Sequence, residues 1–263
     1  MPFYPTVPPM AELVAPPAWR TVDFISDLHL SSDDPATFAA WQHYLQATPA
    51  DAVFILGDLF EVWVGDDAVD AESDFEARCS GVLAQAGNSL ALFFMHGNRD
   101  FLIGPALMDQ VNATLLNDPT VLSFASQRWL LSHGDALCLD DTDYQEFRRL
   151  VRSPDWQRAF LARPLTERQV LATDMRRQSE ARKRSGLDYG EVDNDAARQW
   201  LTAAGAPVLI HGHTHKPAVH DLGEGLSRWV LSDWDAMANV PRAEVLRLNS
   251  AGLERIAQIA PSA

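Results

Sequence analysis

The sequence predicts an α/β fold, and three observations lead to this prediction. Short apolar runs recur along the chain, each about as long as a single buried strand. Segments with helical character separate the first three runs, and a polar or glycine-containing segment follows the main runs. Continuous apolar runs are typical of strands that are covered on both faces, so we expect helices to pack against the sheet.

The first half of the chain alternates strand and helix. Strands are expected at residues 21–25, 52–56 and 90–95. Helices are expected from about residue 34 to 47 and from about residue 73 to 86. Asp33 or Asp34 can cap the first helix, and Pro35 suits its first turn because a proline there loses no hydrogen bond.

The second half combines further strands with one long helical segment. Strands are expected at residues 128–132 and 208–210, with short strand-like pieces at 229–231 and 244–248. Residues 140–201 show no strand signal and are rich in arginine, so we expect a helical insertion in one domain that spans residues 21–263. Residues 1–20 are rich in proline, which predicts a loose arm.

The composition excludes several classes of protein. Of the 263 residues, 47% are hydrophobic and 22% are charged, as in ordinary globular proteins. No apolar run reaches the roughly 18 residues that span a bilayer. The N-terminus has neither the basic start nor the apolar core of a secretory signal. Cys79 and Cys138 are the only cysteines, too few for a disulfide framework, which predicts a reducing cytoplasm.

The charge distribution argues against nucleic-acid binding but leaves one basic segment to explain. The net charge is −15, whereas nucleic-acid binding needs a basic surface. Residues 148–184 nevertheless carry eleven Lys/Arg and four Asp/Glu, a net charge of +7, which leaves −22 for the rest of the chain. Two interpretations stay open: a solvated helical face, or a patch for an anionic ligand or an anionic lipid surface.

Side chains that can bind a metal follow five of the predicted strands. They are Asp27, His29, Asp58, Asn98, His133, His213 and His215. Each of them alone has an ordinary explanation as a helix cap, a turn former or a core histidine. Because ligands of open α/β sheets bind beyond the carboxyl ends of the strands, five such strand ends together predict one shared site.

The residue types at these strand ends predict a pair of transition-metal ions. Two carboxylates, one amide and four imidazoles suit Mn²⁺, Fe²⁺ or Zn²⁺ better than Ca²⁺. Seven ligands are too many for one tetrahedral zinc, but they suit two metals that share a carboxylate. Two ions about 3.5–4 Å apart can clamp a phosphate and activate a water molecule.

The motifs at the strand ends resemble the calcineurin-like metallophosphoesterase pattern. The matching segments are DLH (27–29), GD (57–58), GNRD (97–100), HGD (133–135) and GHTH (212–215). The resemblance implies a four-layer α/β/β/α sandwich with a dinuclear site. The ligands that it implies for one metal are Asp27, His29, Asp58 and His215. Those for the other metal are Asp58, Asn98, His133 and His213. Asp58 is therefore the bridging ligand, and the pattern leaves out His43, His96, His211 and His220.

Four longer segments resemble one family within that superfamily, the UDP-2,3-diacylglucosamine pyrophosphatases of lipid A biosynthesis. They are ILGDLFEVWVGDD (55–67), HGNRDFLIG (96–104), HGDALCLDDTDYQEFR (133–148) and IHGHTHKPAVH (210–220). The resemblance implies hydrolysis of UDP-2,3-diacylglucosamine to UMP and 2,3-diacylglucosamine 1-phosphate by a metal-activated water, with two Mn²⁺ as cofactors. The catalytic residues that it implies are Asp58, Asn98 and His213. It also implies peripheral association with the cytoplasmic face of the inner membrane.

The same resemblance gives the insertion the role of a lid over two acyl chains. Apolar residues and arginines alternate along residues 156–175, as in basic amphipathic helices that rest on anionic lipid, although the same residues could pack the lid onto the sandwich. The substrate contacts that it implies are Asn98, Arg99, Asp141, Ser179, Lys183 and His213. Arg99 would neutralise the diphosphate. The sequence departs from the family at residues 185–186, where a lysine is expected, so Lys183 or Arg184 would supply that cation.

Two alternatives stay open on the sequence alone. One is another dimetal phosphoesterase, such as a cyclic-nucleotide phosphodiesterase, a phosphoprotein phosphatase or a nuclease. A nuclease conflicts with the charge of −22 outside the basic segment, and a minimal phosphodiesterase conflicts with the long insertion. The other is a non-catalytic scaffold, which would have lost metal ligands, whereas all seven are present. No nucleic-acid partner and no obligate protein partner are expected.

Overall fold

Two sheets stack face to face, and helices cover their outer faces. The computed structural model describes residues 7–69, 74–184 and 190–258, and within these ranges each sheet has six strands. The strands are β1 (Ala11–Val14), β2 (Thr21–Ile25), β3 (Ala52–Leu56), β4 (Ala91–Met95), β5 (Ala113–Leu116), β6 (Thr120–Phe124), β7 (Gln127–Ser132), β8 (Val208–His211), β9 (Ala218–Gly223), β10 (Leu226–Val230), β11 (Glu244–Asn249) and β12 (Gly252–Ala257). The helices are α1 (Pro35–Ala47), α2 (Asp74–Gly87), α3 (Pro105–Gln110), α4 (Thr142–Val151), α5 (Pro154–Leu161), α6 (Leu165–Arg184) and α7 (Asn194–Ala204).

The first sheet has the strand order β12-β11-β2-β3-β4-β5. Strands β2 to β5 run parallel, and the antiparallel hairpin of β11 and β12 extends the sheet beside β2. Helices α1 to α3 cover its outer face and share one apolar core with it. Helix α1 begins as predicted, because the Asp34 side chain accepts a hydrogen bond from Thr37 N at 2.9 Å and Pro35 is the first helical residue.

The second sheet has the strand order β1-β6-β7-β8-β10-β9, and α7 covers its outer face. Helix α7 buries Ala197, Trp200 and Leu201 against this sheet. We expected the helical insertion to continue to about residue 201, and this boundary is wrong because α7 belongs to the sandwich. The insertion outside the sandwich therefore comprises α4, α5 and α6.

The central strands are apolar on both faces because each face lies in a different core. Phe24 and Phe54 point into the core between the two sheets, where the Phe54 and Phe93 rings stack with centroids 4.6 Å apart. The next residues, Ile25 and Ile55, point into the core under α1 and α2. Alternate side chains of a strand face opposite sides of the sheet, so both sets must be apolar. These layers confirm the predicted α/β fold class and the α/β/β/α sandwich.

The prediction of a loose N-terminal arm is wrong for residues 11–14. These residues form β1, which pairs in parallel with β6 from Ala11 opposite Thr120 to Val14 opposite Ser123. Prolines flank the strand on both sides, and they lack the N–H that would extend the ladder. A four-residue strand at the edge of a sheet, with only Leu13 packed against the core, therefore escapes a search for long apolar runs.

The insertion is fixed to the first sheet through apolar contacts and one buried arginine. Trp156, Leu165 and Leu171 pack against the core under the first sheet. The Arg168 guanidinium is buried, donates to Val64 O at 2.5 Å and pairs with the Asp67 carboxylate. Among the helices of the described ranges, none combines the length and the apolar content that crossing a bilayer requires.

A buried carboxylate joins the strand β2 to α1 and β11. The Asp23 side chain is fully buried, and it accepts hydrogen bonds from Arg247 Nε at 2.7 Å and Nη2 at 2.8 Å. It also accepts from Tyr44 Oη at 3.0 Å and Thr48 Oγ1 at 2.7 Å. Burial and the Asp23 charge raise the pKa of Tyr44 well above its usual range, so the phenol stays a neutral donor. One anion therefore satisfies three separate donors in the interior.

Replacing Asp23 tests the importance of this network. Asp23→Ala should lower the free energy of unfolding by about 3–5 kcal/mol, because it leaves the Arg247 charge without its buried partner. Chemical denaturation monitored by circular dichroism measures the loss. Asp155→Ala is the control, since the Asp155 and Arg158 side chains are 89% and 78% exposed and their pair should not move the midpoint. Equal midpoints for the two variants would contradict the prediction.

Candidate metal centre

The candidate ligands lie in loops that leave the two sheets at one common edge. Beyond the strand ends, the loops that follow β2 and β3 continue side by side through backbone hydrogen bonds. Asp27 N donates to Gly57 O at 3.1 Å, and His29 N donates to Asp58 O at 3.0 Å. This continued pairing sets the candidate ligands of the two loops next to each other.

The side chains of Asp27, His29 and His215 form a first group. The His215 Nε2 atom lies 3.3 Å from Asp27 Oδ1 and 3.2 Å from His29 Nε2. The His29 Nε2 atom in turn lies 4.0 Å from Asp58 Oδ2. Asp27 is fully buried, whereas the side chains of His29 and His215 are 20% and 32% exposed. The group is therefore open to solvent on the side of its histidines.

The other candidates form a second group around Asn98. The Asn98 Oδ1 atom lies 3.0 Å from His133 Nε2 and 2.8 Å from His213 Nδ1. His133 Nε2 also lies 3.8 Å from Asp58 Oδ2. Asp58 is thus near both groups, which is the place that a bridging carboxylate needs.

Backbone strain is concentrated at these positions. Five of the seven candidate ligands have a left-handed backbone, with φ values between 48° and 69°, and they are Asp27, His29, Asp58, His213 and His215. Residues other than glycine rarely adopt this region, and each instance costs on the order of 1–3 kcal/mol. Such strain persists where the surrounding structure holds it in place, and it clusters at functional sites.

Two glycines allow the loops to approach the carboxylates closely. A Cβ atom on Gly97 would lie 2.0 Å from Asp58 Oδ1, and one on Gly212 would lie 2.3 Å from Asp27 Oδ2. Any side chain would therefore displace a candidate ligand. This explains the glycine before Asn98 and the one before His213, because neither position has space for a side chain.

The donor set fits divalent transition metals. Among the described residues, two sets have donor atoms that all lie within 4.8 Å of one another: Asp27, His29 and His215, and Asp27, Asp58 and His133. The Nδ1 atoms of His29 and His215 face the carboxylates of Glu61 at 3.1 Å and Asp233 at 3.8 Å. With a proton on each Nδ1, the two Nε2 atoms, which lie 3.2 Å apart, would both be able to bind a cation.

The electrostatic balance of the site also favours cations. Burial raises the pKa of Asp27, but the hydrogen bond and charge of His215 outweigh it, and the pKa lies well below its usual range. Burial lowers the pKa of His133, but the charges of Asp58 and Asp27 outweigh it and raise the pKa to about 9. Without metal, a proton on His133 thus partly balances the carboxylates, and a bound metal would replace that proton.

The remaining histidine of the cluster lies behind the ligands. His211 is fully buried, its Nδ1 atom lies 2.9 Å from Gly212 O and its Nε2 atom lies 3.4 Å from Arg228 Nη1. Burial lowers its pKa to about 3, so the ring is neutral. These contacts give His211 a packing position beneath the loop that carries His213 and His215.

The predicted substrate contacts are only partly described. Arg99 N donates to Asp58 Oδ1 at 2.8 Å, which places Arg99 at the edge of the metal site. Asp141 caps α4 by accepting from Tyr144 N at 3.1 Å, and its contact with substrate stays a prediction. Ser179 and Lys183 belong to α6, but their side chains lie outside the described residues.

Three buried carboxylates support the site, and none of them was given a role from the sequence, although Asp100 and Asp135 lie in the GNRD and HGD motifs. Asp100 accepts hydrogen bonds from Gly97 N at 2.9 Å and Leu59 N at 2.7 Å, and burial together with the Asp58 charge raises its pKa to about 7. Asp135 binds Tyr144 Oη at 2.6 Å and Arg148 Nε at 2.8 Å. The third is Asp233, which faces His215.

Asp233 lies outside the quoted motifs, but it also had a recognisable signal in the sequence. The apolar run before Ser232-Asp233 ends in the same way as the run before Ser26-Asp27. Both Ser-Asp pairs follow a strand that runs toward the site, β10 and β2. Applied to every strand end, the rule that found Asp27 would also have found Asp233.

The chain is similar to known proteins over most of its length. The family model for calcineurin-like phosphoesterase matches residues 20–217. A UDP-2,3-diacylglucosamine hydrolase from Chromobacterium violaceum is 47% identical over 222 residues, which cover 81% of this chain and 90% of that protein. Proteins of the same name from Aromatoleum aromaticum and Ralstonia nicotianae are each 46% identical, over 80% and 86% of this chain and 88% of each relative.

The site and the comparisons lead to the same assignment. All seven candidate ligands lie within residues 20–217, the range that matches the family model. The identity to the relatives extends along the chain and is not confined to these motifs. The chain belongs to the calcineurin-like phosphoesterase family.

Proposed function

We propose that the protein hydrolyses the diphosphate bond of UDP-2,3-diacylglucosamine and releases UMP and 2,3-diacylglucosamine 1-phosphate, a step of lipid A biosynthesis. The observation that carries the proposal is the identity of 46–47%, over 80–86% of this chain, to three proteins named for that hydrolysis. The convergence of the candidate ligands in one place supports the chemistry.

The cofactor in this proposal is a pair of Mn²⁺ ions. Asp27, His29, Asp58 and His215 would hold one ion. Asp58, Asn98, His133 and His213 would hold the other. Mixed oxygen and nitrogen ligands suit Mn²⁺, and Fe²⁺ or Zn²⁺ are compatible with the same donor set. When bound, the ions would supply a water of lowered pKa and positive charge for the diphosphate.

The protein's own groups have separate tasks in this reaction. Asn98 and His213 lie on the same side of the site, 2.8 Å apart, where each would contact both a metal and the diphosphate. Arg99 lies beside them and would balance the negative charge of the diphosphate. Its backbone N donates to Asp58 Oδ1, so the side chain starts beside the bridging carboxylate, and its Nη1 atom lies 3.7 Å from Glu61 Oε1.

The insertion fits an acylated substrate and a peripheral position on the cytoplasmic face of the inner membrane. It carries large apolar side chains that are 40–61% exposed: Phe147, Leu150, Leu161 and Val170. Arginines lie among them on α4, α5 and α6. Apolar side chains mixed with cations are typical of helices that lie on anionic lipid. Trp156, Phe160 and Leu165 of the same segment pack in the core under the first sheet. The structure thus shows the packing role, and the exposed apolar side chains support the proposed lipid-facing role.

Removing a candidate ligand tests the metal site. His133→Ala and Asp58→Ala should lower turnover by more than about 100-fold, the upper range for losing even an outer partner of a metal ligand. Turnover of the acylated substrate and Mn²⁺ stoichiometry are measured on the same preparations. His43→Ala is the control, since His43 is exposed on α1. Wild-type turnover in either ligand variant would refute the assignment.

A panel of substrates tests the reaction. The purified protein with Mn²⁺ should release UMP from UDP-2,3-diacylglucosamine and much less from UDP-sugars without acyl chains. The physical reason is that burial of acyl methylenes contributes about 0.8 kcal/mol each to binding. Chelation should stop the release, and added Mn²⁺ should restore it. Equal rates on acylated, unacylated and generic phosphodiester substrates would favour another dimetal phosphoesterase instead.

A vesicle-binding assay tests the membrane association. Val170→Glu should weaken binding to vesicles of phosphatidylethanolamine and phosphatidylglycerol about 30-fold, since lost apolar burial and repulsion by anionic lipid each cost on the order of 1 kcal/mol. Co-sedimentation measures the bound fraction. The matched control is Val219→Glu, a valine of similar exposure on β9, 51% against 61% for Val170. Equal binding of the two variants would argue against contact through the insertion.

A further inference from the structure

We propose that Glu61 is a positioning residue. Its single carboxylate orients both the candidate metal ligand His29 and the substrate-binding side chain of Arg99. Glu61 lies in the segment of residues 55–67, which carried the family resemblance but has no assigned role beyond Asp58. The role of the Glu61–Arg99 contact rests on the proposed function, because it concerns substrate binding. The role of the Glu61–His29 contact concerns metal binding alone.

The backbone sets the position of Glu61. The loops after β2 and β3 remain paired beyond His29 and Asp58: Leu30 N donates to Leu59 O at 2.8 Å, and Glu61 N donates to Leu30 O at 3.1 Å. This short parallel ladder places Glu61 beside His29 without any contribution from its side chain. The register follows from the strand pairing of β2 with β3 and is therefore part of the fold.

The two carboxylate oxygens of Glu61 face two different partners. Oε2 lies 3.1 Å from His29 Nδ1, and Oε1 lies 3.7 Å from Arg99 Nη1. The Glu61 side chain is 16% exposed, so its charge is only partly screened by water. Within the described part of the chain, the buried His29 Nδ1 atom has no hydrogen bond of good angle, and the Glu61 oxygen is within reach to accept one.

The chemistry of metal sites explains what this contact does. A histidine that binds a metal through one nitrogen usually donates its other N–H to a carboxylate or carbonyl. Such a partner fixes the tautomer and the ring orientation and makes the ligand more basic. With Nδ1 directed at Glu61, His29 presents Nε2 to Asp58 and His215, which is the side where its metal would bind.

The remainder of the loop holds Glu61 firmly in place. Trp63 N donates to Arg99 O at 3.2 Å, so the backbones of the two segments are tied together. Asp66 accepts from Gly104 N at 2.9 Å and from Leu107 N at 3.0 Å at the start of α3. Next to it, Asp67 pairs with the buried Arg168 of the insertion. A loop that is anchored at both ends can hold the carboxylate in one orientation.

Mn²⁺ titration of the metal-free protein tests the proposal. Glu61→Gln keeps the shape and an acceptor oxygen but not the charge, and Glu61→Ala removes both. We expect one of the two Mn²⁺ sites to weaken by about 10–100-fold, more in the Ala variant than in the Gln variant. The other site should keep its affinity. Calorimetry or the electron paramagnetic resonance signal of free Mn²⁺ gives both affinities, and thermal unfolding reports on the fold.

The control separates positioning from a general structural role. Glu244→Gln removes a carboxylate of comparable exposure, 27%, which pairs with Arg255 on β12 and with no candidate ligand. It should leave both Mn²⁺ affinities unchanged. The proposal is overturned if both Glu61 variants bind two Mn²⁺ as the wild type does. It is equally overturned if both sites weaken together with the melting temperature, since that result means a structural role only.

Turnover separates this inference from the proposed function. In the Glu61→Gln variant, hydrolysis should fall at low Mn²⁺ and recover toward the wild-type kcat at Mn²⁺ concentrations above the weakened Kd. A raised KM for the acylated substrate should remain, because Arg99 has lost its anion. If the wild type binds two Mn²⁺ but does not hydrolyse UDP-2,3-diacylglucosamine, the proposed function is wrong. Weaker Mn²⁺ binding at one site in the Glu61 variants would still support the role of Glu61 in orienting His29.

Discussion

The structure depends on one constraint: parallel strands from two stacked sheets end at the same edge and bring carboxylates and imidazoles into a buried cluster. Asp27, Asp58 and His133 are at most 1% exposed, and their donor atoms lie within 4.8 Å of one another. Isolated buried charges are costly, and they persist when they are paired or coordinate metals. The arrangement of strands that builds the sandwich therefore also creates a buried cluster of carboxylates that bound cations would stabilise.

The backbone is strained at this common edge of the two sheets. Left-handed backbones at five candidate ligands are unfavourable unless the surroundings compensate. The compensation comes from the two apolar cores that clamp each strand just before its loop. Buried anions add to it, because Asp100 ties Gly97 to Leu59 through backbone N–H groups. The scaffold is thus rigid where the ligands need precise placement.

Elements with a strong local signal could be predicted from the sequence. The strands β2 and β3 and the cap of α1 match their expected positions because both strand faces are apolar and Asp34 is a good capping residue. Strands β1 and β5 could not be predicted, since they lie at sheet edges with half-exposed residues and no clear alternation. The role of α7 depends on packing that only the second sheet defines. Likewise, the contact of Glu61 with His29 arises from the pairing of two loops, which no single segment encodes.

The most direct test of the central claim is anomalous diffraction from crystals grown with Mn²⁺, recorded on both sides of the manganese absorption edge. We expect two anomalous peaks about 3.5–4 Å apart, one on each side of the Asp58 carboxylate. The first peak should lie against His29 and His215, and the second against Asn98 and His133. A single peak, or none within reach of these side chains, would show that the cluster does not bind a pair of metal ions.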